Sequence, residues 1–474
     1  MLNMNIDLEE IEAEESFRDH IATVNEKGRR VWIFPKKPRG WWYEKRKIVS
    51  YILLCLLFLS PHIKYQGEQF FMFNILERKF VLFFKVFWPQ DFYIFAIAFV
   101  LGIVFVIFFT IIFGRLFCGW VCPQTIFMEM LFRRIEYWIE GDWTYQKKLD
   151  TQAWNREKII KRGGKHVIFW LISFLIANTF LAYIIGSDEL WKIQTDPVGK
   201  HIGGLIAIII FTYVFYGVFA FLREQVCTTI CPYGRLQGVL LDQNTMVVAY
   251  DYKRGEKRAK FQKNEDRKAF NKGDCIDCKQ CIHVCPTGID IRNGTQLECV
   301  NCTACIDACD YIMTGIGKPK GLIRFVSENG IRHGLKFQWT KRVKAYCFLL
   351  VGLFITLLTL LITRKDFETT ILRQRGSTYQ ITSDHKISNI FEIYLTNKTH
   401  KNFNVELKAD CKQCEIKLAV KKLRLLKEKQ LKERFVVEMP LNIMLRGRKI
   451  IYIQVFANGK KINEVKTKFI GPML

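Results

Sequence analysis

Eight of the sixteen cysteines fall in two dense runs that share one spacing. The runs are CIDCKQCIHVCP and CVNCTACIDACD, and their cysteines are Cys275, Cys278, Cys281, Cys285, Cys299, Cys302, Cys305 and Cys309. Each run reads C-x2-C-x2-C-x3-C, a spacing at which closely placed thiolates bind an iron–sulfur cube. The repeated run therefore predicts two [4Fe–4S] clusters as cofactors.

The same spacing predicts which cysteines share a cluster. In two-cluster ferredoxins of the bacterial type, the fourth cysteine of each run binds the cluster of the other run. The predicted sets are Cys275, Cys278, Cys281 and Cys309 for one cluster, and Cys299, Cys302, Cys305 and Cys285 for the other. Structural zinc normally uses two cysteine pairs, and a reducing cytoplasm disfavours disulfides, so clusters are the favoured interpretation.

Four further cysteines form a second repeated pattern, two cysteines four residues apart followed by proline. The stretches are LFCGWVCPQT and VCTTICPYGR, and their cysteines are Cys118, Cys122, Cys227 and Cys231. This spacing places both sulfurs of a pair on one helix face. Pro123 and Pro232 each suit the first turn of a new helix. We expect each pair to lie where a membrane span ends and a surface helix begins.

These four cysteines are predicted to be catalytic and to bind a metal. Helix N-termini lower the pKa of a thiol, and Arg115, Arg223 and Arg235 add positive charge, so we expect thiolates. Both pairs are predicted at one membrane depth, where they could face each other. Four thiolates there could hold Cu(I) or another cluster, or act as a dithiol–disulfide relay.

The elements that position these cysteines are mostly membrane helices. Half of the 474 residues are hydrophobic and the net charge is +26. About 20 apolar residues cross a bilayer, and we predict about five transmembrane helices, at 48–60, 92–113, 167–185, 202–222 and 345–362. Charged residues interrupt the apolar stretch 70–88, which we interpret as an interfacial or re-entrant segment.

Lysine and arginine in the short loops predict the orientation. The N-terminus, the loop 123–165 and the region 223–344 are expected on the cytoplasmic side, and the tail from Arg364 on the outside. No cleavable signal peptide is visible in the acidic first 20 residues. On the outside Cys411 and Cys414 could form a disulfide, and we favour a local disulfide or an adventitious site over a metal-handling role.

A basic stretch lies at 253–272. It reads as a solvated linker that touches anionic lipid headgroups, or as a docking patch for an acidic electron donor. Nucleic-acid binding is not expected, because no recognition fold accompanies the charge.

The tail alternates apolar and polar residues in about seven short segments, which predicts an all-β immunoglobulin-like sandwich. The fold class is therefore membrane α-helical with an inserted bacterial-type 2[4Fe–4S] ferredoxin domain and a C-terminal immunoglobulin-like domain. The predicted segments are a cytoplasmic N-terminal segment 1–47, a four-helix membrane region 48–235, a ferredoxin-like domain 236–343, a fifth helix 344–363 and a periplasmic domain 364–474.

The motif combination resembles a known family. The blocks FWPQDF, GRLFCGWVCPQT, IEGDW, REQVCTTICPYGRLQ and the doubled cysteine run, followed by an immunoglobulin-like tail, resemble the FixG/RdxA/CcoG family of cytochrome c oxidase accessory proteins. More distantly, the paired C-x3-C-P motifs are similar to those of membrane electron-transfer proteins of the NapH and NosR type.

This resemblance implies a bacterial inner-membrane protein that reduces Cu(II) to Cu(I) for assembly of the cbb3-type oxidase. The expected partners are a cytoplasmic electron donor, a copper carrier or oxidase subunits, and membrane lipid. Two alternatives stay open. One is a respiratory conduit that exchanges electrons with quinone or a partner complex. The other is a non-catalytic assembly scaffold.

Overall fold

The computed structural model divides into two compact units, which are described separately. The first comprises the described residues of Met1–His62 and Ala96–Ile355, and the second those of Ile63–Phe95 and Thr356–Leu474. The described residues are 23–24, 27, 29–65, 67–75, 79–263, 265–267, 269–374, 376, 378–382, 386–399, 401–411, 413–418, 423–427, 429–441 and 447–472.

Four helices in the described part of the chain are long and apolar enough to cross a membrane. They are Phe92–Phe113, Arg156–Ile185, Ile202–Leu222 and Lys341–Ile362. A helix of 22 residues is about 33 Å long, which matches the hydrocarbon core of a bilayer. The fifth segment that we predicted to span, 48–60, falls in a further helix, Trp41–Leu59, which is not among these four. The additional helix, Trp41–Leu59, carries Glu44, Lys45, Arg46 and Lys47 in its first turns, so only its later turns are apolar.

The helices of the first unit pack through aromatic side chains. Phe132 stacks on Phe219 with ring centroids 4.5 Å apart, and the edge of its ring meets Phe169 at 4.8 Å. Phe132 ends a π-helical segment, Phe127–Phe132, that lies between the helices Pro123–Ile126 and Arg133–Ile139. This packing fixes the helix that follows the first C-x3-C-P motif against two of the candidate membrane spans.

The cysteine-rich region of the first unit folds between two antiparallel strands, Val247–Tyr250 and Ile323–Val326. Its helices are Tyr252–Gly255, Gln280–His283, Ile291–Asn293, Ala304–Gly315 and Glu328–His333. The two cysteine runs have the same local backbone. Asp277 and Lys279 in the first run, and Asn301 and Thr303 in the second, all have positive φ angles at matching positions. The sequence repeat is thus also a structural repeat.

Short helices connect these parts of the first unit. They are Leu116–Trp120, Trp143–Thr151, Ser187–Thr195, Val198–Lys200, Val226–Ile230 and Pro232–Leu240. Helices begin at Pro123 and Pro232, as the two C-x3-C-P motifs predict.

The second unit contains the predicted immunoglobulin-like sandwich. One sheet has the strand order Glu415–Leu418, Gln430–Pro440, Lys386–Asn397 and Phe367–Arg373, with Gln380–Ile381 beside Lys386–Asn397. The other has the order Leu423–Leu425, Phe403–Ala409, Arg448–Ala457 and Lys460–Ile470. Phe391 and Phe435 stack in the core at 5.6 Å. Cys411 and Cys414 form the local disulfide that we favoured.

The segment 70–88 also belongs to the second unit. It forms a small antiparallel sheet of the strands Phe71–Asn74, Lys79–Leu82 and Lys85–Phe87, preceded by the paired strands Lys64–Tyr65 and Glu68–Gln69. Asp91, which follows this sheet, forms ion pairs with Arg364 at 2.8 Å and Lys398 at 2.6 Å. These ion pairs tie the segment to the sandwich. Its interfacial placement stays a prediction.

Candidate functional site

The structure gathers the eight cysteines of the two runs around two cavities. The first cavity, of about 360 Å³, is lined by Cys275, Cys278, Cys281 and Cys309. The second, of about 350 Å³, is lined by Cys285, Cys299, Cys302 and Cys305, and Cys281 also reaches its wall. The fourth cysteine of each run thus faces the cavity of the other run, which is the crossed arrangement expected from the spacing.

The residues around both cavities fit a pair of four-iron clusters. Each cavity offers four sulfur donors inside an apolar wall, which includes Leu322 and Ile323 in the first and Ile289 and Ile291 in the second. A hydrophobic shell controls solvent access and redox potential at such a centre. Burial also raises the pKa of the Cys299 thiol to about 12. Cluster binding must therefore release protons from the cysteines.

The four cysteines of the C-x3-C-P motifs also come together. Cys118 lies in the helix Leu116–Trp120 and Cys227 in the π-helical turn Val226–Ile230. Cys122 and Cys231 occupy the N-cap positions of the helices that begin at Pro123 and Pro232. Charge on any one of the four sulfurs acts on the others. The two motifs, more than 100 residues apart in sequence, therefore build one local cluster of thiols, which we call the paired-motif site.

Two polar side chains that sequence reasoning missed contact this site. Gln237 donates a hydrogen bond from Nε2 to the sulfur of Cys118 at 3.2 Å. Thr125 Oγ1 lies 4.0 Å from the sulfur of Cys227. Thr125 and Gln237 stand two and five residues after the motif prolines, in CPQT and CPYGRLQ. Their proximity to the prolines was the available signal, but only the fold shows that each reaches a cysteine of the other motif.

The expectation of thiolates at the paired-motif site was wrong for the metal-free protein. Burial raises the pKa of Cys118 to about 11 and that of Cys227 to about 12, and it also raises the pKa of Cys122. Arg115 does lower the pKa of Cys118, as we expected, but burial has the larger effect. The side chain of Arg235 lies outside the described part of the structure. These thiols are protonated near neutral pH until a cation replaces the proton.

The sulfurs of the paired-motif site do not converge on one ion position. Within the described residues, no three His, Cys, Asp or Glu side chains converge closely enough to hold a single metal ion. A two-coordinate soft cation needs only two thiolates, and a cluster needs four that are spread apart. Both occupants are compatible with this geometry.

The paired-motif site and the second cluster cavity share a wall. Gly119, between Cys118 and Cys122, packs against the loop that contains Cys299 and Cys302, and a Cβ atom on it would lie 2.3 Å from the Val300 carbonyl oxygen. Arg46, which is buried, donates from Nε to the Gly119 carbonyl oxygen at 2.7 Å. Only glycine permits this close approach of two backbones.

A third cavity, of about 330 Å³, lies beside the same wall. Cys227 and Thr125 line it from the paired-motif site, and Pro286, Thr287 and Val300 line it from the cluster loops. Thr287 Oγ1 is also 3.4 Å from the sulfur of Cys285, a predicted ligand of the second cluster. The third cavity thus borders both Cys227 and Thr287, the side chain that contacts Cys285.

Buried ion pairs hold the helix after the first motif against the turn before the second. Arg133 is 1% exposed and lies 3.1 Å from Glu129 and 3.7 Å from Glu224. Arg223 donates to Glu136 at 2.6 Å. Charged groups this deeply buried require such partners. The network fixes the relative position of the two cysteine pairs, and sequence reasoning did not predict it.

The end of a membrane helix is joined to the cysteine-rich region. The backbone N–H of Met246 donates to the Ile112 carbonyl oxygen at 2.9 Å, and Thr245 Oγ1 donates to that of Ile111 at 2.9 Å.

Four candidate membrane spans, two cysteine-lined cavities suited to iron–sulfur clusters and a β-sandwich define a class of protein. It is a membrane-bound iron–sulfur electron-transfer protein.

Comparison with known families agrees with this class. Residues 222–328 match the family described as "4Fe-4S dicluster domain", and residues 95–146 match "4Fe-4S binding domain". Residues 357–472 match the family described as the IG-like fold at the C-terminal of FixG. The FixG match covers the sandwich described above.

Curated relatives extend the similarity over most of the chain. Protein RdxA of Cereibacter sphaeroides is 33% identical over 395 residues, which cover 80% of this chain and 82% of RdxA. Protein RdxB of the same organism is 32% identical, covering 78% of this chain and 80% of RdxB. The nitrogen fixation protein FixG of Rhizobium meliloti is 35% identical over 63% of this chain and 58% of FixG. The chain belongs to the FixG/RdxA family.

Proposed function

We propose that this protein reduces Cu(II) to Cu(I) at the paired-motif site, for insertion into a cbb3-type cytochrome oxidase. Each Cu(II) ion takes up one electron and leaves as Cu(I). The electron comes from a cytoplasmic donor. The resemblance to oxidase accessory proteins supports this choice of substrate.

The observation that supports this proposal most directly is the shared wall between Gly119 and Val300. It brings Cys118 and Cys122 against the loop of Cys299 and Cys302. When bound at the two cavities, iron–sulfur clusters supply single electrons. The four cysteines of the paired-motif site bind the copper substrate and discriminate against harder cations. Soft thiolates favour Cu(I) over Cu(II), so binding itself assists the reduction.

A neighbouring side chain and the protons on the thiols also affect how copper binds. The hydrogen bond from Gln237 to Cys118 fixes the direction of that sulfur. Because burial raises the pKa of Cys118, Cys122 and Cys227, copper replaces protons on these thiols as it enters. The Cu(I) product stays on the thiolates until a copper carrier or an oxidase subunit removes it.

We place the protein in the bacterial inner membrane, with the ferredoxin domain in the cytoplasm and the sandwich in the periplasm. Contacts within each unit support this assignment. The backbone N–H of Lys36 bonds to the His283 carbonyl oxygen, so the residues before the first helix share a side with the cysteine runs. Asp91 pairs with Lys398, so the loop after that helix shares a side with the tail. Membrane lipid is a further partner, and no nucleic acid is expected.

A second candidate occupant of the paired-motif site is a third iron–sulfur cluster. Residues 95–146 match a 4Fe-4S binding family, and Cys118 and Cys122 are their only cysteines. A third cluster would make the protein an electron conduit, with quinone or a partner complex as acceptor. Iron analysis separates the two candidates, because two clusters contain about 8 iron atoms per chain and three contain about 12.

The experiment that tests copper reduction compares two double variants. Cys118→Ser/Cys122→Ser removes half of the paired-motif site, and Cys55→Ser/Cys347→Ser removes two cysteines outside all three sulfur sites. Each purified protein is reduced with dithionite, freed of excess reductant and mixed anaerobically with Cu(II) and a Cu(I)-specific chelator. We expect the first variant to keep its clusters and lose Cu(I) formation, and the second to match the parent.

Equal Cu(I) formation by both variants contradicts the proposal. If the parent forms no Cu(I) while its clusters cycle reversibly with a quinol, the conduit is the better account. Clusters that cannot be reduced reversibly would instead indicate a scaffold.

A further inference from the structure

The eight cluster cysteines differ in their exposure. Cys278, in the first cavity, is exposed, whereas the other seven are buried or half-buried. Lys279, the next residue, is exposed and lines the same cavity. The first cavity is therefore the one that a protein partner in solution can approach, while the second lies beside the paired-motif site.

The described part of the basic stretch 253–272 is bonded to the first cysteine run, which a solvated linker would not be. Its backbone is bonded to the first cysteine run, with Ala259 N–H donating to the Cys275 carbonyl oxygen at 3.3 Å. Arg267 is 5% exposed and donates to the carbonyl oxygens of Ala259, Lys260, Gly273 and Cys275. The described residues of the stretch thus form a lobe folded around Arg267 and bonded to Cys275, which lines the first cavity.

Two carboxylates of this lobe, Glu256 and Glu265, form ion pairs within the lobe itself. Glu256 pairs with Arg258 at 2.6 Å, and Glu265 pairs with Lys272. Three exposed lysines of the lobe have neither an ion pair nor a side-chain hydrogen bond with the described residues: Lys257, Lys260 and Lys263. Together with Lys279, which lines the first cavity, these exposed lysines of the lobe are what we call the lysine face.

We propose that the lysine face is the docking surface for an acidic one-electron carrier protein, which delivers electrons beside Cys278. This inference rests on the proposed function, because it identifies the donor that copper reduction requires. A protein with complementary charge is steered toward such a patch at a rate that falls with salt. The carrier gives up one electron per encounter and leaves in its oxidised form. The exposure of Cys278 favours this partner over a lipid surface, because electron transfer requires an accessible redox centre and lipid binding does not.

The test uses the full-length protein in nanodiscs of zwitterionic lipid, with a reduced, acidic two-iron ferredoxin as the donor probe. The variant is Lys257→Glu/Lys260→Glu/Lys263→Glu. A matched control, Lys460→Glu/Lys466→Glu/Lys468→Glu, makes the same charge change at exposed positions of the sandwich. The second-order rate of cluster reduction is measured at low and at high salt.

We expect the rate of the lysine-face variant to fall about tenfold or more at low salt, and its salt dependence to disappear. The control should keep the parent rate. Dithionite should still reduce the clusters of the variant, and the reduced variant should still convert Cu(II) to Cu(I). Those two readouts fail only if the proposed function or the fold fails, so the two proposals are tested separately.

Three outcomes would overturn the docking proposal. One is a parent rate that does not depend on salt. Another is an equal loss of rate in the lysine-face and control variants. The third is an effect of charge reversal that occurs only in nanodiscs of anionic lipid, because the lysines would then be bound to the membrane surface.

Discussion

Gly119 meets the carbonyl oxygen of Val300 so closely that a Cβ atom on the glycine would stand 2.3 Å from it. Gly119 lies inside the first C-x3-C-P motif, and Val300 lies between two cysteines of the second cluster cavity. This one backbone contact joins the two kinds of cysteine motif. Because this contact is made by main-chain atoms, it holds the two cysteine motifs together without depending on flexible side chains.

The contact predicts the effect of Gly119→Ala. The added methyl group must push the cluster loop away, and such overpacking costs roughly 1–3 kcal/mol of stability. We expect Cu(II) reduction to slow by about tenfold or more, because small displacements at a reacting centre are costly. Stopped-flow mixing of the dithionite-reduced variant with Cu(II) measures this rate.

The matched control is Gly102→Ala, since a Cβ atom at Gly102 meets nothing within 4 Å. Iron content of both variants verifies that the clusters are retained. A Gly119→Ala protein that reduces copper at the parent rate would show that the close approach is not needed.

The hydrogen bond to Cys118 predicts a role for Gln237 in holding copper. Residues that orient a metal ligand typically contribute 10–100-fold to metal affinity. Gln237→Leu should therefore weaken Cu(I) binding by about tenfold in a competition titration with a Cu(I) chelator. Gln262→Leu, at an exposed position, serves as the control and should leave the affinity unchanged. Identical affinities in the two variants would remove Gln237 from the site.

The raised thiol pKa values predict a pH dependence. Burial raises the pKa to about 11 at Cys118 and to about 12 at Cys227, so both are protonated at neutral pH. Cu(I) must displace a proton from each thiol that binds it. Its apparent affinity should rise with pH below these pKa values, by about tenfold per pH unit for each proton released. Titrations from about pH 6 to about pH 9 measure the slope, and a flat profile would mean that the thiols are ionised before copper arrives.

The buried ion pairs predict a large loss of stability for Arg133→Met. Among the described residues, removing this guanidinium leaves Glu129 without an ion-pair partner and takes one partner from Glu224, both in a largely buried setting. Breaking a buried ion pair in this way costs about 3–5 kcal/mol. An exposed pair should matter far less, so Lys192→Ala, which breaks the exposed pair with Glu189, is the control. Thermal unfolding in detergent compares them, and equal melting temperatures would contradict the structural role of the network.

Local spacing made much of the site predictable. The two cysteine runs encode their own ligand sets, because short loops with fixed backbone angles place three cysteines together and the pseudo-repeat supplies the fourth. Pro123 and Pro232 identified the starts of two helices, and the alternating tail identified the sandwich. These features depend on neighbours in sequence, which a single chain displays directly.

The remaining features depend on distant contacts. Gln237 meets Cys118, and Arg133 meets Glu224, across about 100 residues of chain that no local pattern connects. The thiolate expectation failed because burial, which the sequence does not display, outweighed nearby positive charge. The lobe around Arg267 read as a linker because its side-chain bonds to the backbone are invisible in composition. The small sheet at 71–87 was hidden by its short strands.

The most direct measurement is a single-turnover reaction with both redox partners observed together. The protein is reduced anaerobically with dithionite and freed of excess reductant. Cu(II) is then added with a Cu(I)-specific chelator, while EPR follows the clusters and absorbance follows the chelated Cu(I). The account predicts one Cu(I) for each electron that leaves the clusters. In Cys118→Ser/Cys122→Ser, neither the EPR signal of the clusters nor the absorbance of chelated Cu(I) should change. Clusters that stay reduced while Cu(II) persists in the parent protein would contradict it.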